Sequence, residues 1–210
     1  MNNYDWLAPR RRRQSLFVVE GNHEKNELIS LLLKIFPEID ICLEDILIYG
    51  TNIYMLYEEL VHIYQENWYE DDVDLPFLVS RKKGYEMPLY KKDFNNIVLI
   101  FDYERHEPNF SEDKIMKMQE YFHDATDVGK LFINYPMIES YQDLQTIPDD
   151  TYKKRYIPVT LQPGYQYKNL VKDTMIAKMT ELPIRIKGIL MGRFHIVQGM
   201  MMILPHSEIS

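Results

Sequence analysis

The apolar positions change period several times along the chain, and each change marks an element. Ser15–Glu20 (SLFVVE) is an unbroken apolar and β-branched run without alternation, the pattern of a strand covered on both faces. Gly21 then offers a tight turn from strand into helix. Leu28, Leu31, Leu32 and Ile35 fall on one helical stripe, which Pro37 ends. Asp45–Gly50 (DILIYG) predicts a second strand, and Ile53, Leu56, Tyr57, Leu60 and Ile63 or Tyr64 mark a second helix. Asn67–Phe94 is less regular and is expected to hold one strand, Pro76–Lys82 (PFLVSRK), with a hairpin-like excursion. Asn96–Glu104 (NIVLIFDYE) is the strongest strand signal in the chain. Asn109 with Glu112 suits a capping box for a helix over Ser111–His123. Lys130–Tyr135 (KLFINY) is a further strand, stopped by Pro136, which suits the first turn of a helix.

Strands alternating with helices predict an α/β fold, a Rossmann-like, mainly parallel sheet flanked by helices. The pattern divides the chain into a basic arm (1–14), an α/β domain (15–141) and a C-terminal connector with a helical extension (142–210). Within that last part, Ile147–Lys168 is rich in Pro, Tyr and Lys, while Asn169–Met179 and Ile186–Met202 have helical character.

Composition narrows the class. With 210 residues and 46% hydrophobic content the chain can bury a substantial core. Its one cysteine, Cys42, has no intrachain partner, which points to a reducing compartment. No apolar run has the roughly 18 residues that a membrane span needs, and the start of the chain lacks a signal-peptide apolar region. A cytoplasmic protein without a membrane partner is expected. The net charge of −8 means that any nucleic-acid contact must rest on local cations. Such clusters occur at Pro9–Arg13, Arg81–Lys83, Tyr90–Lys92 and Tyr152–Arg155, several beside tyrosines able to stack on bases. The plain alternative is that each is a solvated face.

Three predicted strands end on acids: Glu20 after LFVV, Asp102 and Glu104 after NIVLIF, and Glu139 shortly after KLFINY. Ligands of open α/β sheets bind at the carboxyl ends of strands, so these acids are placed to converge. Two carboxylates at about 4 Å repel by on the order of 4 kcal/mol at an effective dielectric of 20, unless a cation or proton joins them. Oxygen-rich clusters suit Mg²⁺ or Mn²⁺, which can polarise a phosphoryl oxygen and acidify a bound water. Taken singly, an acid after a strand is usually a solvated loop residue; the joint pattern in this order is what points to a site. His23 and His106 each follow a strand-end acid closely, and Lys25 and Arg105 are placed to contact a phosphate; all four also read as ordinary surface residues.

The stretches VVEGNHEKNELISLL and VLIFDYERHE together resemble the Toprim domain of topoisomerases, bacterial primases, small maturation ribonucleases and OLD-type nucleases. The family pattern is a strand ending in Glu-Gly, an acid and a leucine in the next helix, and a later strand ending in Asp-x-Asp. The resemblance covers Ser15 to about Tyr141, and NYPMIES (Asn134–Ser140) resembles the Pro-x-x-Glu of Toprim proteins from phage-defence systems, RloB-like proteins among them. It implies that Glu20 is a metal ligand or general base, that Asp102 and Glu104 hold Mg²⁺ or Mn²⁺, that Glu139 is a further ligand, and that Glu24 is the acid of the first helix. Glu104 departs from the family by standing where Asp is usual. The resemblance further implies a nuclease acting on DNA or RNA, tRNA included, as a toxic effector in anti-phage defence. Because the chain has no Walker sequence, an ATPase would be a separate partner, and a homodimer is also compatible. Two other readings share the fold: a catalytically degenerate binding or scaffold module, and a small ribonuclease for RNA maturation.

Overall fold

A computed structural model describes residues 13–35, 45–146, 149–155 and 164–174. Among these residues, five strands form one sheet: β1 (Arg13–Val19), β2 (Ile46–Ile48), β3 (Phe94–Asp102), β4 (His123–Asp124) and β5 (Gly129–Asn134), in the order β2-β1-β3-β5-β4. All neighbouring pairs are parallel except β4 with β5. The α/β expectation holds, with a mainly parallel sheet flanked by helices.

Alternation along β1 explains the unbroken apolar run. Leu16 and Val18 enter one core cluster, while Phe17 and Val19 enter the other on the opposite face. The first cluster is roofed by α2 (Ile53–Tyr64), α3 (Leu75–Lys82) and α4 (Glu112–Tyr121), and its largest member, Trp68, packs against Tyr57, Tyr121 and Phe122. On the other face lie a wide π-type segment, Glu24–Ile29, its continuation α1 (Ser30–Ile35), and a 3₁₀ segment, Ile138–Asp143. Both faces are therefore dry, as the lack of alternation requires.

Several expectations need correction. Pro76–Lys82 is helix, not strand: Asp74 Oδ1 accepts the Phe77 amide at 3.1 Å, Pro76 stands in the first turn, and Leu75, Leu78 and Val79 bury one helical face. Asn109 is no cap. Helix α4 starts one residue after Ser111 and ends at Tyr121, and Asn109 Nδ2 lies 3.6 Å from Met55 Sδ. Gly21 turns the chain without a left-handed backbone, unlike Gly50 at φ +90° and Gly129 at φ +111°. At Gly129 the freedom is required, since a Cβ there would stand 2.9 Å from Leu99 Cδ1. Pro136 precedes its helix by two residues, and Ile138 opens the 3₁₀ segment.

In the C-terminal part, α5 (Gly164–Val171) begins within the stretch expected to be a connector and already contains Asn169, while Tyr152–Lys154 forms a 3₁₀ turn. The helix expected over Ile186–Met202, the end of the Asn169–Met179 helix, most of the basic arm and Cys42 fall outside the described residues. Among the described residues, no helix is long and apolar enough to cross a membrane.

Candidate metal centre

The sheet order makes the site. Because β1 and β3 are parallel neighbours, with Val19 opposite Ile100, their following acids emerge side by side at the carboxyl edge. The Glu20 backbone is held from both sides: its amide donates to the Ile100 carbonyl at 3.1 Å, and its carbonyl accepts from Gly50 at 2.8 Å. Its side chain turns toward β3, where Oε2 accepts the Asp102 amide at 3.1 Å. Asp102 is braced from the next strand. Asn134, opposite it on β5 and 2% exposed, donates from Nδ2 to Asp102 Oδ1 at 3.0 Å, and the Ile138 amide favours the ionised form of this carboxyl.

Glu24, 4% exposed at the start of the π-type segment, bends its Oε2 back to the Gly21 amide at 2.7 Å. Glu104 follows β3 in a left-handed backbone conformation, φ +37°, which costs a non-glycine residue about 1 kcal/mol. Its retention there aims a fourth carboxylate at the same edge.

These acids feel one another. Burial, then the charges of Glu104 and Asp102, push the Glu20 carboxyl from 4.5 up to about 8, against the lowering effect of the Asp102 amide. Burial and the charge of Glu24 push Asp102 from 3.8 to about 7, although the Asn134 and Ile138 donors oppose this. Glu104 is also raised, by burial first and then by Glu107, with His106 and Asn52 acting the other way. A concentration of carboxyls that hold protons near neutral pH is short of positive charge. A divalent cation with an affinity for oxygen donors answers that deficit.

The remaining candidates separate into two groups. His106 groups with Glu104 and Glu107: each presents a ligand atom, all within 4.8 Å of one another, and among the described residues Glu20 and Asp102 belong to no group of three acids or histidines that close. Glu107 is oriented by Asn52, whose Nδ2 donates to Glu107 Oε2 at 3.0 Å while its Oδ1 caps α2 through the Met55 amide, also at 3.0 Å. Elsewhere, His23 Nδ1 lies 3.1 Å from Glu27 on the exposed side of its helix, Arg105 sits 5.9 Å from the centre of the Phe110 ring, and Lys25 is half-buried beside Glu24. Glu139 is buried too, but its Oε1 pairs with Lys168 Nζ of α5 at 2.7 Å, and its Oε2 has no hydrogen-bond partner among the described residues.

Three residues at the edge had no strand-end signal: Glu107, Asn52 and Tyr54. Glu107 lies inside the acid-rich FDYERHE stretch. Asn52 is recognisable only as a helix cap. Tyr54 lies on α2, its hydroxyl donating to the Tyr103 carbonyl, and burial together with the surrounding carboxylates raises its pKa.

No protein-family model, curated protein or solved structure matches the chain.

Proposed function

We propose that the protein is a Mg²⁺- or Mn²⁺-dependent nuclease of the Toprim type. One observation carries this reading: Glu20 and Asp102 lie at the ends of adjacent parallel strands, touch through a side chain-to-amide hydrogen bond, and share a site where burial and neighbouring carboxylates raise both carboxyls. Glu20, Asp102 and Glu104 would hold the ion, with His106 and Glu107 extending the donor set and Glu24 behind them. The donors fit: carboxylate oxygens for Mg²⁺, and an imidazole that makes Mn²⁺ equally acceptable. When bound, such an ion supplies a polarised phosphoryl oxygen and a more acidic water. The chain's own work is to hold two carboxylates in place, Asp102 through Asn134 and the Ile138 amide, Glu20 through the Asp102 amide.

The role as a toxic effector of phage defence with an ATPase partner rests on the Toprim resemblance alone. A non-catalytic module is the second reading, favoured by one contact: Lys168 occupies Glu139, the acid expected to complete the ligand set. Cleavage of end-labelled DNA, RNA and tRNA in Mg²⁺ and in Mn²⁺ separates the two. Glu20→Gln and Asp102→Asn should each lower the rate at least about 100-fold, in the range of losses seen for essential metal-site groups. Full cleavage by either folded variant would refute the assignment.

A further inference from the structure

Helix α3 and the stretch that joins it to β3 carry cations and rings that the acidic centre does not use. Lys83, which closes α3, brings its Nζ to 3.0 Å from where a Cβ would stand on Gly50. Gly50 directly follows Tyr49 at the end of β2, and its amide holds the Glu20 carbonyl. Neighbouring strands lie about 4.8 Å apart, so Lys83 stands one strand from Glu20 along the carboxyl edge. Lys82 is committed elsewhere, to Tyr49 Oη at 2.9 Å and Glu59 at 2.5 Å. Lys83 is exposed, and no carboxylate among the described residues pairs with it.

A row of alternating chemistry continues from there. The Arg81 guanidinium lies 5.8 Å from the centre of the Phe77 ring. That ring stacks on Tyr90, with centres 5.3 Å apart and planes inclined by 21°, and Lys92 Nζ lies 5.2 Å from the Tyr90 ring. Tyr90 is 37% exposed. Core packing does not account for the row, because α3 buries its Leu75, Leu78 and Val79 face instead. From Phe77 to Lys83 the helix advances about 9 Å, against about 3.4 Å per stacked nucleotide along one strand. Cations spaced around a half-buried ring and an exposed one match a chain of phosphates and unpaired bases. A duplex hides the faces that such rings stack on.

We propose that Lys83, Arg81 and the Phe77–Tyr90 stack form the approach track for a single-stranded nucleic acid, with a backbone phosphate on Lys83 and a base on Tyr90. The track takes its substrate class from the nuclease reading, and it delivers the strand to Glu20 past a cation that offsets the repulsion of the acids. Binding is measured apart from cleavage, so the two can fail separately.

The test is fluorescence anisotropy of a labelled oligonucleotide of about twelve residues, within the usual range of single-strand sites. It is run in EDTA across a series of salt concentrations, with the full chain. The wild type should bind the single strand more tightly than the matching duplex. Lys83→Ala should weaken binding about fivefold and reduce the slope of log affinity against log salt by about 0.7, the increment for one single-strand phosphate. Tyr90→Ala should weaken it about fivefold or more with the slope unchanged, and Lys83→Arg should restore it. Equal or tighter duplex binding overturns the track. So does wild-type affinity in both alanine variants once circular dichroism shows them folded, or no binding by the wild type at low salt. A wild type that binds single strands yet cleaves none in Mg²⁺ or Mn²⁺ sinks the nuclease reading and leaves the track standing.

Discussion

Replacing Glu20 by glutamine should stabilise the metal-free protein at alkaline pH. The folded chain keeps a proton on Glu20 between pH 4.5 and about 8, where the unfolded chain has released it. Its contribution is therefore fully present below pH 4.5, declines as pH rises, and is lost above about 8. At about 1.4 kcal/mol per tenfold in proton affinity, ionising Glu20 in place costs about 5 kcal/mol. Part of that is shared with Asp102, itself pushed to about 7, since neutralising one relieves the other. Glutamine keeps an oxygen for the Asp102 amide and removes the charge, so Glu20→Gln should gain about 2–4 kcal/mol at pH 8.5. The expected rise in melting temperature is roughly 5–15 °C for a chain of this size. The two proteins should melt together near pH 4.5. Thermal and urea unfolding in EDTA from pH 4.5 to 9 measure this. Adding Mn²⁺ or Mg²⁺ at pH 8.5 should stabilise the wild type and leave Glu20→Gln nearly unmoved. A wild-type stability that does not fall between pH 5 and 8, or a glutamine variant less stable than wild type at pH 8.5, would refute the reasoning.

Other consequences concern the frame around the site. His106→Ala should leave the melting temperature unchanged and weaken Mn²⁺ binding about tenfold or more while affecting Mg²⁺ less, which titration calorimetry can read, because imidazole favours the transition metal. Gly129→Ala should destabilise by at least about 2 kcal/mol in urea, given its left-handed backbone and the 2.9 Å approach to Leu99. Asp74→Ala removes an oxygen that accepts from both Phe77 and Lys91, at 3.1 and 3.0 Å, and should cost about 1–2 kcal/mol; Asp74→Asn should cost less. Trp68→Ala, emptying the largest fully buried position, should cost about 3–5 kcal/mol by chemical denaturation.

Much of the frame was legible in the chain itself. β1 and the central part of β3 are apolar on both sides because both sheet faces are covered there, and a run without alternation says so directly. Helix α2 was equally plain, its stripe repeated over three turns. The exception, α3, has only eight residues, too few for a helical period to stand out from an apolar run. There the local signal lay in Asp74 and Pro76, a cap and a first-turn proline, and not in the hydrophobic pattern.

The acids Glu20, Asp102 and Glu104 could be named in advance, because each follows a strong strand, and a strand's end is a local property. Their company could not. That β1 lies beside β3 is a matter of sheet order, which depends on crossovers and on the packing of both layers. Only tertiary structure therefore sets Asn134 against Asp102, turns Asn52 toward Glu107, commits Glu139 to Lys168, and brings Lys83 to Gly50. Hydrophobic periodicity is written in neighbours along the chain. Charge balance at a site is written in neighbours across space, over separations as long as the 82 residues between Glu20 and Asp102.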